Sequence, residues 1–131
     1  RVVVEDTPFG RLGLSVCYDL RFPELFRTLT AQGAILFAVP SAFTRSTGRV
    51  HWELLNRARA VENLAFVIAA AQTGQHANGR ETWGHSMIVE PWGEILAERA
   101  AEPGIVMASL DTEAQVRLRQ RFPALTHRRL G

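Results

Sequence analysis

The chain has 131 residues, enough for one domain with a buried core, and its 47% hydrophobic and 21% charged residues are ordinary for a globular protein. The single cysteine allows no internal disulfide, so a reducing cytoplasm is the simplest setting. The net charge is only +2, no RNA motif accompanies the arginines, and the longest apolar run, residues 64–71, is too short to span a bilayer. We therefore expect neither a nucleic-acid nor a membrane partner.

The first forty residues predict a hairpin, a helix and a buried strand. Residues 1–4 and 12–16 have the β-branched and apolar character of strands, joined by a turn at residues 6–10. A helix over residues 23–32 begins at a proline and stops before a glycine. The continuous apolar run 34–39 then predicts a buried parallel strand.

The middle of the chain continues this alternation. Residues 41–49 are polar and predict a loop, residues 51–63 have helical spacing, and residues 64–71 form another buried strand. A strand–helix–strand–helix–strand order implies an α/β layer with parallel strands and right-handed crossovers. Residues 74–81 are again polar and predict a turn region.

The last third predicts strands followed by one helix. Residues 87–89 and 94–98 should form a hairpin around a Pro-Trp-Gly turn. Residues 104–110 predict one more strand, and an aspartate cap begins a helix over residues 111–122. The basic tail, residues 125–131, is expected to be extended.

Cys17 lies between the second predicted strand and the first predicted helix. A sharp strand-to-helix turn presents a nucleophile clear of the sheet and directs the next backbone N–H groups toward an oxyanion. One alternative is a buried thiol that only fills the end of the strand. Another is a Cys–His dyad of the protease type with His51 or His85. The four histidines have no spacing typical of a metal site.

Several segments resemble the carbon–nitrogen hydrolases of the nitrilase superfamily, in order and over nearly the whole chain. They are residues 17–24 (CYDLRFPE), 39–43 (VPSAF), 51–63 (HWELLNRARAVEN), 83–89 (WGHSMIV) and 91–93 (PWG). The resemblance implies an α/β fold of the αββα sandwich type. It also implies that residues 1–131 are the C-terminal part of a single domain of that family.

The resemblance further implies hydrolysis of a non-peptide amide or nitrile through a thioester, by a cysteine, a glutamate base and a lysine, without a cofactor or metal. Cys17 matches the cysteine, and Tyr18 would supply a backbone N–H to the oxyanion. The family's glutamate and lysine precede the cysteine, whereas only Glu5 and Asp6 are acids before Cys17 and lysine is absent. We therefore expect both groups upstream of Arg1 and an inactive chain on its own. The alternative is a non-catalytic assembly domain.

Three residues are candidates for binding the substrate. Arg21 lies one helical turn beyond Cys17 and can hold a carboxylate bidentately. Phe43 and Thr47 follow a predicted strand, at the end of the sheet where α/β ligand sites gather. Each has a structural alternative, which for Arg21 is a charge network with Asp19 and Glu24 that fixes the turn.

Residues 17–24 and 126–129 resemble most closely the amidase branch that acts on deaminated glutathione and on ω-amides of 2-oxo acids. A small-molecule amide carrying a carboxylate is therefore the expected substrate. A nitrilase or carbamoylase acting on a different C–N bond is the alternative.

The family stacks two subunits helix layer to helix layer, so the resemblance implies a homodimer or higher homo-oligomer. The predicted helices 23–32 and 51–63 should line this contact. The second carries Trp52, Leu55 and Arg59 at helical spacing, a composition common in interface cores. The alternative is that this stripe packs only on its own sheet.

Overall fold

A six-stranded mixed sheet forms the centre of the computed structural model, which describes residues 1–130. The strands are β1 (Val3–Thr7), β2 (Gly10–Leu14), β3 (Leu36–Ala38), β4 (Phe66–Ala69), β5 (Thr73–Gln75), β6 (Glu81–Trp83), β7 (Ser86–Val89) and β8 (Ile95–Arg99). The spatial order is β1-β2-β3-β4-β7-β8, with β2, β3 and β4 parallel and the other pairs antiparallel. β5 and β6 form a separate hairpin.

Helices that pack on one face of the sheet connect the parallel strands, and a further helix follows the last strand. They are α1 (Pro23–Ala31), α2 (Arg45–Thr47), α3 (Glu53–Asn63) and α4 (Thr112–Arg121). α1 joins β2 to β3 and α3 joins β3 to β4, so the predicted α/β alternation is confirmed. The core between this sheet face and the helices contains Phe26 of α1, Phe37 of β3 and Val67 of β4, all fully buried.

The predicted loop over residues 41–49 is wrong in its second half, where the chain is already helical. α2 runs into a π-helical turn, Gly48–Trp52, which continues as α3. A Cβ at Gly48 would lie 2.3 Å from the Cβ of Trp83, so only glycine allows this close approach. Tertiary contact therefore decides the conformation of a segment whose composition is typical of a loop.

The predicted strand over residues 104–110 is also wrong. These residues form no strand, although Ile105 and Met107 alternate with less exposed neighbours. Ile105 is 81% exposed and Met107 is 82% exposed, and no strand within residues 1–130 pairs with them. A β-strand needs a neighbour with which to exchange backbone hydrogen bonds, so the period-two pattern alone does not form one.

Three smaller differences concern turns and the tail. The first hairpin extends to a two-residue turn after Thr7, and the predicted turn region 74–81 contains most of the β5–β6 hairpin. In the tail, Ala124–Thr126 forms a 3₁₀ turn instead of an extended segment. Asp111 does cap α4, because its Oδ1 accepts a hydrogen bond from the N–H of Ala114 at 2.9 Å. Within the described residues, no helix has the length and apolar character needed to cross a membrane.

Candidate active site

Cys17 begins a 3₁₀ turn, Cys17–Arg21, which two residues separate from the end of β2. Its φ of +42° lies in the left-handed region, where a non-glycine residue is strained. Its N–H donates to the carbonyl of Pro40 at 2.9 Å, which ties the turn to the end of β3. The structure therefore places the thiol at the carboxyl ends of two parallel strands, in a backbone conformation imposed by its surroundings.

Asp19 stabilises this turn through two hydrogen bonds with Val16. Its Oδ2 accepts the N–H of Val16 at 2.9 Å, and its own N–H donates to the Val16 carbonyl at 2.9 Å. Asp19 is thus a turn-forming residue, whereas Arg21 forms no ion pair with it among the described residues. The N–H of Tyr18 has no backbone acceptor in the same set, and the Tyr18 side chain is 67% exposed.

Arg21 lies over an aromatic side chain instead of in a charge network. Its guanidinium carbon is 5.2 Å from the centre of the Phe43 ring, and its Nη1 is 3.3 Å from His51 Nδ1. Phe43 is buried and packs on Trp52 with ring centres 5.0 Å apart. Arg21 is thus held between a helix and the segment that follows β3, with donors left for a ligand.

Arg59 connects α3 to the same turn. Its Nε donates to the carbonyl of Leu20 at 3.0 Å, and its Nη1 lies 2.8 Å from Glu62 Oε1. Trp52 is fully buried and its Nε1 donates to the His85 carbonyl at 2.7 Å. The predicted interface stripe is therefore wrong in these two residues, because they stabilise their own subunit.

The five residues predicted for the site line one cavity of about 220 Å³. They are Cys17, Tyr18, Arg21, Phe43 and Thr47. Thr47 belongs to α2, and its Oγ1 is 2.8 Å from Thr44 Oγ1. Arg80 also lines the cavity. It was not identified from the sequence, because it lies 59 positions beyond Arg21 (80 − 21), in a polar turn without a recognisable motif.

The histidines do not form a dyad with Cys17. His51 contacts Arg21, while His85 stacks on Trp83 with ring centres 4.4 Å apart and its Nδ1 is 3.0 Å from Glu98 Oε2. No hydrogen bond joins an imidazole to the Cys17 thiol anywhere in residues 1–130. The cysteine-protease alternative therefore lacks its base.

Residues 1–120 match the family model described as carbon-nitrogen hydrolase. The chain belongs to this family. The resemblance seen in the sequence is therefore confirmed, and with it the α/β fold. Cys17 is the single cysteine of this carbon–nitrogen hydrolase chain.

Individual relatives agree in sequence and in fold. The deaminated glutathione amidase of Synechocystis sp. is 51% identical over 126 residues, which are 96% of this chain and 46% of that protein. Nit3 of Saccharomyces cerevisiae, described as a member of branch 10 of the nitrilase superfamily, has a TM-score of 0.92 at 38% identity over 99% of this chain and 48% of its own. An amidase from Nesterenkonia sp. AN1, solved with acrylamide added at its active site cysteine, has a TM-score of 0.80 at 33% identity over 98% and 46%. The chain thus spans about half the length of these relatives.

Proposed function

We propose that a full-length protein carrying this chain is an amidase that hydrolyses a small, carboxylate-bearing amide through a thioester on Cys17. The observation that supports this most is the cavity in which Cys17 lies beside Arg21, Phe43 and Thr47. The substrate class is supported by the relatives named deaminated glutathione amidase. Deaminated glutathione or an ω-amide of a 2-oxo acid is the proposed substrate.

Cys17 is the proposed nucleophile, and its proton goes to a glutamate base that this chain does not supply. Glu5 and Asp6 lie on β1, and neither lines the cavity. The thiolate attacks the amide carbon, the C–N bond breaks and the amine leaves with a proton, and water then hydrolyses the thioester to the acid. The base and the lysine of the family pattern come from outside residues 1–131, which we propose to be the C-terminal part of the domain and inactive alone.

The tetrahedral oxyanion needs donors that are already in place. The N–H of Tyr18 is suited to this role because it follows the nucleophile and has no backbone acceptor among the described residues. The family lysine would add a positive charge on the same oxygen. Arg21 would bind the substrate carboxylate and so hold the scissile carbonyl beside Cys17.

Replacing the nucleophile tests this proposal. In the full-length protein, Cys17→Ala and Cys17→Ser should reduce amide hydrolysis by at least roughly a thousandfold, since neither can form the thioester. Mass spectrometry of the native protein after a rapid quench should show the acyl group on the peptide that contains Cys17, and residues 1–131 expressed alone should show no turnover.

Substantial hydrolysis by either variant, with an unchanged melting temperature, would exclude Cys17 as the nucleophile. A full-length protein without an upstream glutamate and lysine would favour the assembly-domain alternative.

We also propose a cytoplasmic homodimer. A reduced thiol at Cys17 is required for the chemistry, which a reducing compartment maintains. The exposed face of α3 supports the dimer. Leu54 is 64% exposed and Val61 is 46% exposed on this helix, and a partner subunit would cover both apolar side chains.

A further inference from the structure

The cavity around Cys17 contains two arginines at different depths and no carboxylate. Arg21 is half-buried beside the nucleophile, whereas Arg80 is exposed at the rim. Apart from Cys17, the other described lining residues are Tyr18, Ala42, Phe43, Thr44 and Thr47, and none of them is an aspartate, a glutamate or a further arginine. The cavity therefore presents two separate positive charges to whatever enters it.

The position of Arg80 is fixed by a docked hairpin. Thr82 of β6 forms an antiparallel bridge with Thr44, and the N–H of Trp83 donates to the Phe43 carbonyl at 2.9 Å. The turn that carries Arg80 is closed by its own hydrogen bonds, including Arg80 N–H to Asn78 Oδ1 at 2.9 Å. Arg80 Nη2 donates to the Ala42 carbonyl at 3.1 Å, which holds the guanidinium against the segment that carries Phe43.

The neighbouring Arg45 differs from Arg80 because both a carboxylate and an aromatic ring contact its guanidinium. Its Nη1 is 3.3 Å from Glu81 Oε1, and its guanidinium lies 5.9 Å from the Trp83 ring centre. Arg80 has no carboxylate partner within residues 1–130, and only one of its guanidinium nitrogens is engaged. A guanidinium with free donors in a fixed orientation is suited to bidentate binding of a carboxylate.

We propose that Arg80 binds a second carboxylate of the substrate, carried by the amine that leaves. This inference rests on the proposed amidase function. Arg21 lies on the Cys17 turn, next to the acyl group that stays on the enzyme, and Arg80 lies at the rim, where the amine departs. The substrate class is then an amide with one carboxylate on each side of the scissile bond, such as an acyl group joined to an amino acid or a small peptide.

Two substrates with the same acyl group test this proposal. Glutaramate and N-glutarylglycine both give a glutaryl thioester on Cys17, but only the second carries a carboxylate on its leaving amine. In the full-length protein, Arg80→Gln should lower kcat/KM for N-glutarylglycine by about tenfold, the value of one charge-assisted contact in a partly exposed site. Its kcat/KM for glutaramate should change by less than about twofold, because the ammonia that leaves from glutaramate has no carboxylate for Arg80 to bind.

Arg45→Gln is the matched control, because it removes a nearby arginine that does not line the cavity. It should leave the ratio of the two kcat/KM values unchanged, and Arg80→Lys should restore part of the preference by keeping the charge. The preference for N-glutarylglycine should also fall as salt rises from 0.05 to 0.5 M, because the contact is solvent-accessible.

A binding measurement separates this proposal from the amidase proposal. Calorimetry with the Cys17→Ala protein should show about tenfold weaker binding of N-glutarylglycine when Arg80→Gln is added, and no change for glutaramate. Equal losses for both ligands, or no loss for either, would overturn the role of Arg80. Absence of turnover of any amide by the native protein would overturn the amidase function, while the binding result would still decide about Arg80.

Discussion

At the scale of single residues, the site depends on backbone strain that is offset locally. The left-handed conformation of Cys17 costs about 1–3 kcal/mol. Its N–H bond to Pro40 and the cap supplied by Asp19 hold that conformation in place. The adjacent Arg21 stacks on Phe43, so charge and nucleophile are positioned by the same few contacts.

The role of Arg21 predicts a substrate-charge effect. In the full-length protein, Arg21→Lys should weaken kcat/KM for glutaramate by about 1.5–3 kcal/mol, because a lysine can replace neither the bidentate contact nor the stacking on Phe43. The neutral analogue butyramide should lose much less, and Arg27→Lys on α1 is the matched control. Equal losses on both amides would show that Arg21 only supports the turn.

At the scale of elements, side chains of α4 stabilise the C-terminal end of α3. The helix ends at Asn63 and is capped by Leu64, a buried residue with φ +46°. The Leu64 carbonyl accepts hydrogen bonds from Gln115 Nε2 and Arg119 Nε, both at 3.0 Å. Gln115 Nε2 also reaches the Ile35 carbonyl at 2.9 Å. Burial lowers the pKa of Arg119 from its ordinary value because desolvation disfavours the cation, yet an arginine remains protonated at neutral pH.

Removing this connection should destabilise the fold. Gln115→Ala leaves the buried carbonyl of Leu64 and the half-buried carbonyl of Ile35 with fewer donors, and we expect the free energy of unfolding to fall by about 1–3 kcal/mol. Urea unfolding of the full-length protein, followed by fluorescence, measures the change. Arg117→Ala, at an exposed position of the same helix, should unfold at the native midpoint. If Gln115→Ala does the same, α4 does not hold the end of α3.

At the scale of the whole molecule, the outer face of α3 and of the π-helical turn before it carries exposed apolar side chains among charged ones. Val50, Leu54 and Val61 are between 46% and 64% exposed, and with Trp92 they line a cavity of about 640 Å³. Arg57 Nε donates to the Gly93 carbonyl at 2.7 Å, so this one of the charged residues holds the turn after β7. Exposed apolar side chains surrounded by charged ones are suited to a subunit contact, whose centre is apolar and whose rim is polar.

The proposed homodimer predicts a charge-sensitive assembly. Leu54→Glu in the full-length protein should give monomers, because an unpaired carboxylate in an interface core is strongly unfavourable. Phe9→Glu makes the same change at another exposed apolar residue, on the β1–β2 turn, and should leave the dimer intact. Light scattering measures both. A monomeric native protein, or a dimeric Leu54→Glu variant, would contradict this assignment of the interface.

Much of the architecture and the site follows from the sequence by itself. The strand–helix alternation, the Asp111 cap and the Cys17 turn rest on local signals, namely apolar runs, a proline start and a capping aspartate. The resemblance named Cys17, and positions in the predicted elements named Arg21, Phe43 and Thr47; the fold brings all four to one cavity.

Only the tertiary structure decided the conformation and burial of segments whose local sequence pattern disagrees with their long-range contacts. Residues 104–110 alternate like a strand but have no strand to pair with among residues 1–130, and residues 45–49 are polar but are helical against Trp83. Trp52 and Arg59 have the composition of an interface and are buried in their own chain. Arg80 reaches the cavity through a docked hairpin, a contact between residues 38 positions apart. Sequence periodicity describes one element at a time, and these features depend on which element lies beside it.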